Sequence, residues 1–187
     1  MIYLPEERKA IVLVPKNCSR SIRALFKHHP TATQIWNGDL DHVGVQEALD
    51  LNLSPPDTQF LGLVRFPWER QLSLYLYRHR QRAYDQPCSP THFRHLASTG
   101  CIKDFPWQMR LQRDFLTYQG ELRAKAVLYE TSNQQFNSYG TLAHINRASD
   151  RATSTLIELF YDDATREAVA HYWAPDFDLR AELLKKV

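Results

Sequence analysis

Two short segments constrain this chain more than anything else in it: VLVPKNCSRSI at residues 12–22 and LGLVRFPWERQLSLY at residues 61–75. Each opens as an apolar run of the kind that forms a buried strand. Each then passes directly into a polar, positively charged turn that starts a helix. Backbone N–H groups at a helix start have no intrahelical partner and point along the helix dipole, so such a turn favours a phosphate or sulfate. In the first segment Lys16 brings a mobile point charge, and Ser19 and Ser21 bring hydroxyls that can cap the helix or donate to an anion. The second runs R-x-P-x-x-R-x-x-S from Arg65 to Ser73, with Pro67 at the first helical turn. Arg65 can fork two hydrogen bonds onto one phosphate, and Ser73 adds a hydroxyl from the helix. Two such turns in one small chain point to a ligand with separated anionic groups.

The rest of the sequence alternates strand and helix patterns. Strands are expected at 10–14, 33–36, 60–64 and 125–129, and helices at 19–27, 45–51, 67–80, 91–98, 107–118, 132–138, 154–161 and 163–172. This alternation predicts an α/β fold, a single domain over residues 1–187 with a central parallel β-sheet flanked by helices. In such sheets ligands sit at the carboxyl ends of the strands, where both anion turns fall. Pro55-Pro56 marks a tight connector, and residues 83–90 a long flexible loop.

Composition narrows the function class. With 23 Lys and Arg against 21 Asp and Glu, the formal net charge of +2 implies no broad nucleic-acid surface. No apolar run approaches the ~20 residues of a membrane span, and the first nine residues lack the apolar core of a signal peptide. The expectation is a cytoplasmic protein with no membrane partner. Cys18, Cys88 and Cys101 make no disulfide framework and read as free thiols.

P-K-x-x-S-x-S after a strand, followed by V-R-x-P-x-x-R-x-x-S-x-Y, resembles the PAPS-dependent sulfotransferases, in particular the carbohydrate type related to heparan-sulfate 2-O-sulfotransferases. The resemblance implies a P-loop-like sulfotransferase and nucleotide-kinase architecture. It also implies 3′-phosphoadenosine-5′-phosphosulfate (PAPS, product PAP) as cofactor and a hydroxyl acceptor, expected to be a saccharide. It gives the turn Lys16, Asn17, Cys18, Ser19, Arg20 and Ser21 to the 5′-phosphosulfate, and Arg65 and Ser73 to the 3′-phosphate. Asp41-His42-Val43 is similar to the family's histidine segment. Gln112-x-x-Phe115-Leu116, Val127-Leu128-Tyr129-Glu130, His144-Ile145-Asn146 and Tyr172-x-x-x-Asp176-Phe177 resemble its later landmarks. Two positions depart from the pattern. Cys18 replaces a residue that is usually Gly or Ala, and Arg20 replaces a hydroxyl that would face the phosphosulfate.

Within that frame the expected catalytic residues are His42 and Lys16. Transfer to a hydroxyl needs a base for the acceptor proton, and imidazole suits neutral pH. Asp41 and Asp39 are the reserve candidates for proton removal or for orienting the ring. Lys16 opposes charge developing on the leaving phosphate. Arg78, His79, Arg80 and Arg82 either line an anionic cleft or form a solvated helix end. Arg147 and Arg151 either reach the 3′-phosphate or sit in water. Cys88, His92, His95 and Cys101 offer sulfur and imidazole, but their spacing matches no common zinc module, so no metal is expected. Acceptor choice is assigned to residues 78–107. Two other classes stand beside the sulfotransferase. One is a nucleotide-dependent phosphotransferase, disfavoured because no glycine occurs between Ala10 and Gly38 to build G-x-x-x-x-G-K-[ST]. The other is a PAP- or PAPS-binding module without turnover, motivated by Arg20.

Overall fold

The computed structural model describes residues 1–35, 42–81, 85–99, 110–140 and 150–186, which divide into two compact units. The first holds residues 1–65, 111–145 and 179–187, and the second residues 66–110 and 146–178.

The first unit is built on β1 (Ile2–Leu4), β2 (Lys9–Val12), β3 (Thr33–Gln34), β4 (Gln59–Val64) and a later strand at Lys125–Leu128. A two-residue-per-strand hairpin precedes that last strand, Thr117–Tyr118 (β5) against Glu121–Leu122 (β6), so Lys125–Leu128 is β7. The main sheet has the order β3-β1-β2-β4-β7. β2, β4 and β7 run parallel, with Ala10 opposite Phe60 and Val64 opposite Leu128. β1 runs antiparallel to both β2 and β3. The expected all-parallel sheet is therefore a mixed one. The physical reason is β1, a three-residue strand too short to show a periodicity, which returns through the tight turn at Pro5–Arg8 and pairs Ile2 with Ile11.

Both faces of this sheet are covered, which explains the unbroken apolar run at 10–14. Ala10, Val12, Val14, Phe60 and Val64 point to one side, packing with Val45 and Ala48 of α2 (Val45–Asp50), Phe115 and Leu116 of α5 (Gln112–Leu116), and Leu179 and Leu183. Ile11, Leu13, Leu61 and Leu63 point to the other, against Ile22 and Phe26 of α1 (Ser19–Phe26) and Phe136 of α6 (Ser132–Phe136). Gly62 is fixed by this packing, since a Cβ there would lie 2.1 Å from Leu116 Cδ2.

Of the helix expected at 107–118, only Gln112–Leu116 is helical among the described residues, Thr117–Tyr118 being strand, and residues 107–109 lie outside them. Gln119 (φ 50°) and Gly120 (φ 84°) turn the chain into the β5–β6 hairpin, the pair of positive φ angles that a two-residue turn needs. The second unit is helical: α3 (Pro67–Arg80), α4 (Pro90–Thr99), α7 (Asp150–Phe160), α8 (Asp163–Tyr172) and the start of α9 (Ala174–Leu184). Its core holds Tyr75, Phe93, Phe160, Tyr161 and Trp173, with the rings of Phe93 and Tyr161 5.0 Å apart. Arg70 and Asp176, both fully buried, face each other at 3.8 Å, and Arg70 Nη2 donates to the Arg110 carbonyl at 2.9 Å. Among the described residues no helix is long and apolar enough to cross a membrane.

Candidate functional site

Beyond β2 the chain stays buried through Leu13 and Val14, then turns sharply, with the Asn17 N–H donating to the Val14 carbonyl at 3.1 Å. Lys16 (φ 69°) and Cys18 (φ 62°, ψ 16°) both adopt the left-handed conformation, and Cys18 is the N-cap of α1. Non-glycine residues hold that conformation only where their surroundings over-determine it. Here they do. The Ser19 hydroxyl donates to the Val14 carbonyl at 2.8 Å. Asn17 Nδ2 donates at 2.6 Å to the Leu63 carbonyl on β4 and at 2.6 Å to Gln112 Oε1 on α5. Arg65 Nη1 donates to the Lys16 carbonyl at 3.2 Å. The first turn of α1 contains no acidic residue to occupy its positive dipole end.

Arg65 stands at the carboxyl end of β4, the parallel neighbour of β2. Its backbone is clasped from both sides by one amide: the Arg65 N–H donates to Gln112 Oε1 at 2.8 Å, and Gln112 Nε2 donates to the Arg65 carbonyl at 2.9 Å. The guanidinium lies 5.1 Å from the centre of the Tyr129 ring, a cation–π placement that fixes its direction. Gln112 is fully buried, so one side chain ties the turn at Asn17 and the backbone of Arg65 to α5. Sequence reading marked Gln112 as a landmark but gave it no task. Its partner Asn17 is 95 residues away, a separation at which no local pattern operates.

His42 is half-buried in the same unit, and its Nδ1 faces the Leu13 carbonyl. A carbonyl only accepts, so the ring proton sits on Nδ1 and the lone pair of the neutral imidazole on Nε2. In that tautomer Nε2 is the basic nitrogen.

The remaining candidates separate clearly. Asn17, expected among the cofactor ligands, is 1% exposed, with its amide nitrogen and backbone N–H both bonded inside the protein. Its part is to hold the turn. Ser19 likewise spends its hydroxyl on Val14, and Ser21 is buried. Arg20 is exposed on α1. Ser73 belongs to the second unit, half-buried on α3. Glu130 is paired with Arg180 at 2.9 and 3.1 Å. Asp176 and Arg70 meet as the buried pair of the second unit, so two landmarks of the resemblance serve its core.

Also in the second unit, Tyr75 gathers His79 and His92, whose rings lie 5.4 Å apart. Burial holds both imidazoles below their ordinary pKa, helped at His79 by His92 and at His92 by His95. Cys88 is exposed and free. Among the described residues no group of three His, Cys, Asp or Glu is arranged to hold a metal ion. Asp39, Asp41, Arg82, Cys101, residues 144–146, Arg147 and the side chain of Arg151 lie outside the described residues.

Comparison of the chain with protein-family models, with curated proteins and with solved structures finds no match.

Proposed function

We propose that the chain is a PAPS-dependent sulfotransferase acting on a hydroxyl acceptor, expected on a carbohydrate. One observation carries the reading: the two anion segments end side by side on adjacent parallel strands and are joined by the Arg65–Lys16 hydrogen bond. The same unit holds the groups the chemistry asks for. Lys16 and Arg65 are the cations, the first turn of α1 carries no acidic residue of its own, and His42 would act through Nε2 as proton acceptor. This donor set suits a nucleotide with two separated anionic groups. Lys16, Cys18, Ser21 and the first N–H groups of α1 would hold the 5′ end, while Arg65 would hold the 3′-phosphate. Asn17 and Gln112 hold these elements in position and do not touch the ligand. PAPS, when bound, supplies the sulfuryl group. Lys16 opposes the negative charge that grows on the leaving side, and His42 removes the acceptor proton.

A second reading, a PAP-binding module without turnover, draws on the Ser19 hydroxyl being committed to Val14 and on Arg20 standing exposed. Both remove hydroxyls from the phosphosulfate position. Calorimetry with PAP and AMP tests what the readings share. A dedicated 3′-phosphate contact to Arg65, at roughly 1.5–3 kcal/mol for a charged hydrogen bond, makes PAP the tighter ligand by about ten- to a hundredfold, and Arg65→Ala removes most of that preference. Equal affinities would end both. Incubation with labelled PAPS and a saccharide panel, followed by mass spectrometry for a sulfate gain, then separates enzyme from module.

A further inference from the structure

Arg65 owes its direction to more than the Gln112 clasp on its backbone. β4 and β7 are parallel, with Val64 opposite Leu128, so Arg65 and Tyr129 follow directly at the same, carboxyl, end of two neighbouring strands. The Arg65 guanidinium lies over the Tyr129 ring, 5.1 Å from its centre. The ring is itself held. Tyr129 is 6% exposed and opens a short helical turn, Tyr129–Thr131. Within that turn Thr131 Oγ1 donates to the Leu128 carbonyl at 2.9 Å, and Glu130 is pinned to Arg180 at 2.9 and 3.1 Å. A ring packed in this way keeps one rotamer.

An arginine has a long flexible stem, and ordering it on a ligand costs conformational entropy unless something has ordered it beforehand. Here two contacts do so from within the protein: Nη1 on the Lys16 carbonyl at 3.2 Å, and the guanidinium on the Tyr129 ring face. The guanidinium presents its donors as a rigid planar fork, so its orientation decides whether one or two oxygens of a phosphate are met. A rigid ring beside a half-buried guanidinium is therefore a device for setting that orientation.

We infer that Tyr129 is a positioning residue for the 3′-phosphate contact and so determines how strongly the chain prefers PAP over a nucleotide lacking that group. The inference rests on the sulfotransferase reading, in which Arg65 meets the 3′-phosphate. Tyr129 does not touch the ligand; it acts through Arg65. Without the ring, Arg65 keeps its charge and its backbone clasp and loses its aim. AMP has no group for Arg65, so its binding does not depend on that aim.

Calorimetry of the full chain with PAP and with AMP tests this. Tyr129→Phe keeps the ring and should keep the wild-type preference. Tyr129→Leu stays apolar but removes the ring face; PAP should then bind about two- to thirtyfold more weakly, the range of a cation–π contact, with AMP unchanged. In an Arg65→Ala background, Tyr129→Leu should have no further effect on PAP. Fluorinated phenylalanines introduced at position 129 keep the ring's shape while draining negative charge from its face. The PAP preference should fall stepwise from phenylalanine through its mono-, di- and trifluoro forms. That series carries the test if Tyr129→Leu folds poorly. A ring that only fills space would weaken PAP and AMP together and ignore the fluorine count. Equal weakening of both nucleotides, a preference untouched by Tyr129→Leu, a loss in Tyr129→Phe as large as in Tyr129→Leu, or a flat fluorine series would each overturn the assignment, while a wild-type preference for PAP leaves the sulfotransferase reading standing. A wild-type protein that binds PAP and AMP equally overturns that reading and the inference together.

Discussion

Replacing Gln112 by Leu keeps the volume of this fully buried side chain and removes its polar atoms. Three hydrogen bonds vanish: those with Asn17 Nδ2, the Arg65 N–H and the Arg65 carbonyl. Asn17 keeps its bond to the Leu63 carbonyl, so it loses one of two partners. The Arg65 backbone loses both. An orphaned buried backbone group costs about 1–3 kcal/mol, and Arg65 is only half-buried, so water can meet part of the demand. The expected loss of stability is therefore roughly 2–4 kcal/mol, a large share of the ~5–15 kcal/mol typical of a folded domain. Urea titration followed by circular dichroism measures it. A cycle with Asn17→Leu should show a coupling of about 0.5–3 kcal/mol, as expected for residues in direct contact. PAP affinity should fall as well, because the amide that aligns the Lys16 turn with Arg65 is gone. A Gln112→Leu protein within about 0.5 kcal/mol of wild type, the range of an ordinary surface change, would refute the clasp. So would zero coupling to Asn17.

Three further outcomes follow from the same structure. His42→Ala should lower turnover with PAPS by about 10²–10⁴-fold, the usual contribution of a general base, while PAP affinity stays near wild type; a variant that keeps most of its activity would return the role to Asp41 or Asp39. Gly62→Ala places a Cβ 2.1 Å from Leu116 Cδ2 in a fully buried contact, so thermal melting should show a destabilisation of about 1–3 kcal/mol, the range for overpacking, and an unchanged melting temperature would mean that Leu116 moves freely. The lowered pKa values of His79 and His92 make the unfolded chain bind more protons than the folded one once pH drops below about 6.5. Stability should then decline as pH falls through the depressed folded values, and His92→Gln should flatten that decline in urea titrations run from neutral to acidic pH.

Much of the fold was legible because its signals are local. Pro67 at the first helical position fixed α3 to its observed limits, and the apolar runs at 10–14 and 60–64 marked strands buried on both faces. β1 was not legible. Three residues carry no period, and the strand exists because the Pro5–Arg8 turn returns it onto β2. β5 was hidden at the end of the helix expected at 107–118, and β6 went unseen, since Gln119 gives no warning that it will take a positive φ beside Gly120. α9 also went unseen, with apolar positions that only find their purpose against the far side of the sheet, at Leu179 and Leu183.

The candidate site divides along the same line, between what a residue is and what it points at. Lys16, Arg65 and His42 were readable as chemical types, because a cation after a strand and an imidazole in a polar turn are unusual enough to notice. Direction was not readable. Asn17, Ser19 and Ser21 sit among those residues in sequence, yet two of them spend their side chains holding the turn, and Ser21 is buried with them. A turn with two left-handed residues has to be braced from inside, so hydroxyls and amides within it are drawn to backbone carbonyls before they can serve a ligand. The brace extends to Gln112, and through it to Arg65, because the strain at Lys16 and Cys18 is relieved only when β2, β4 and α5 are already in register. The site is thus a product of the sheet's assembly. Polar residues within a strained turn should be assigned to the turn first, and to the ligand only when their donors point outward.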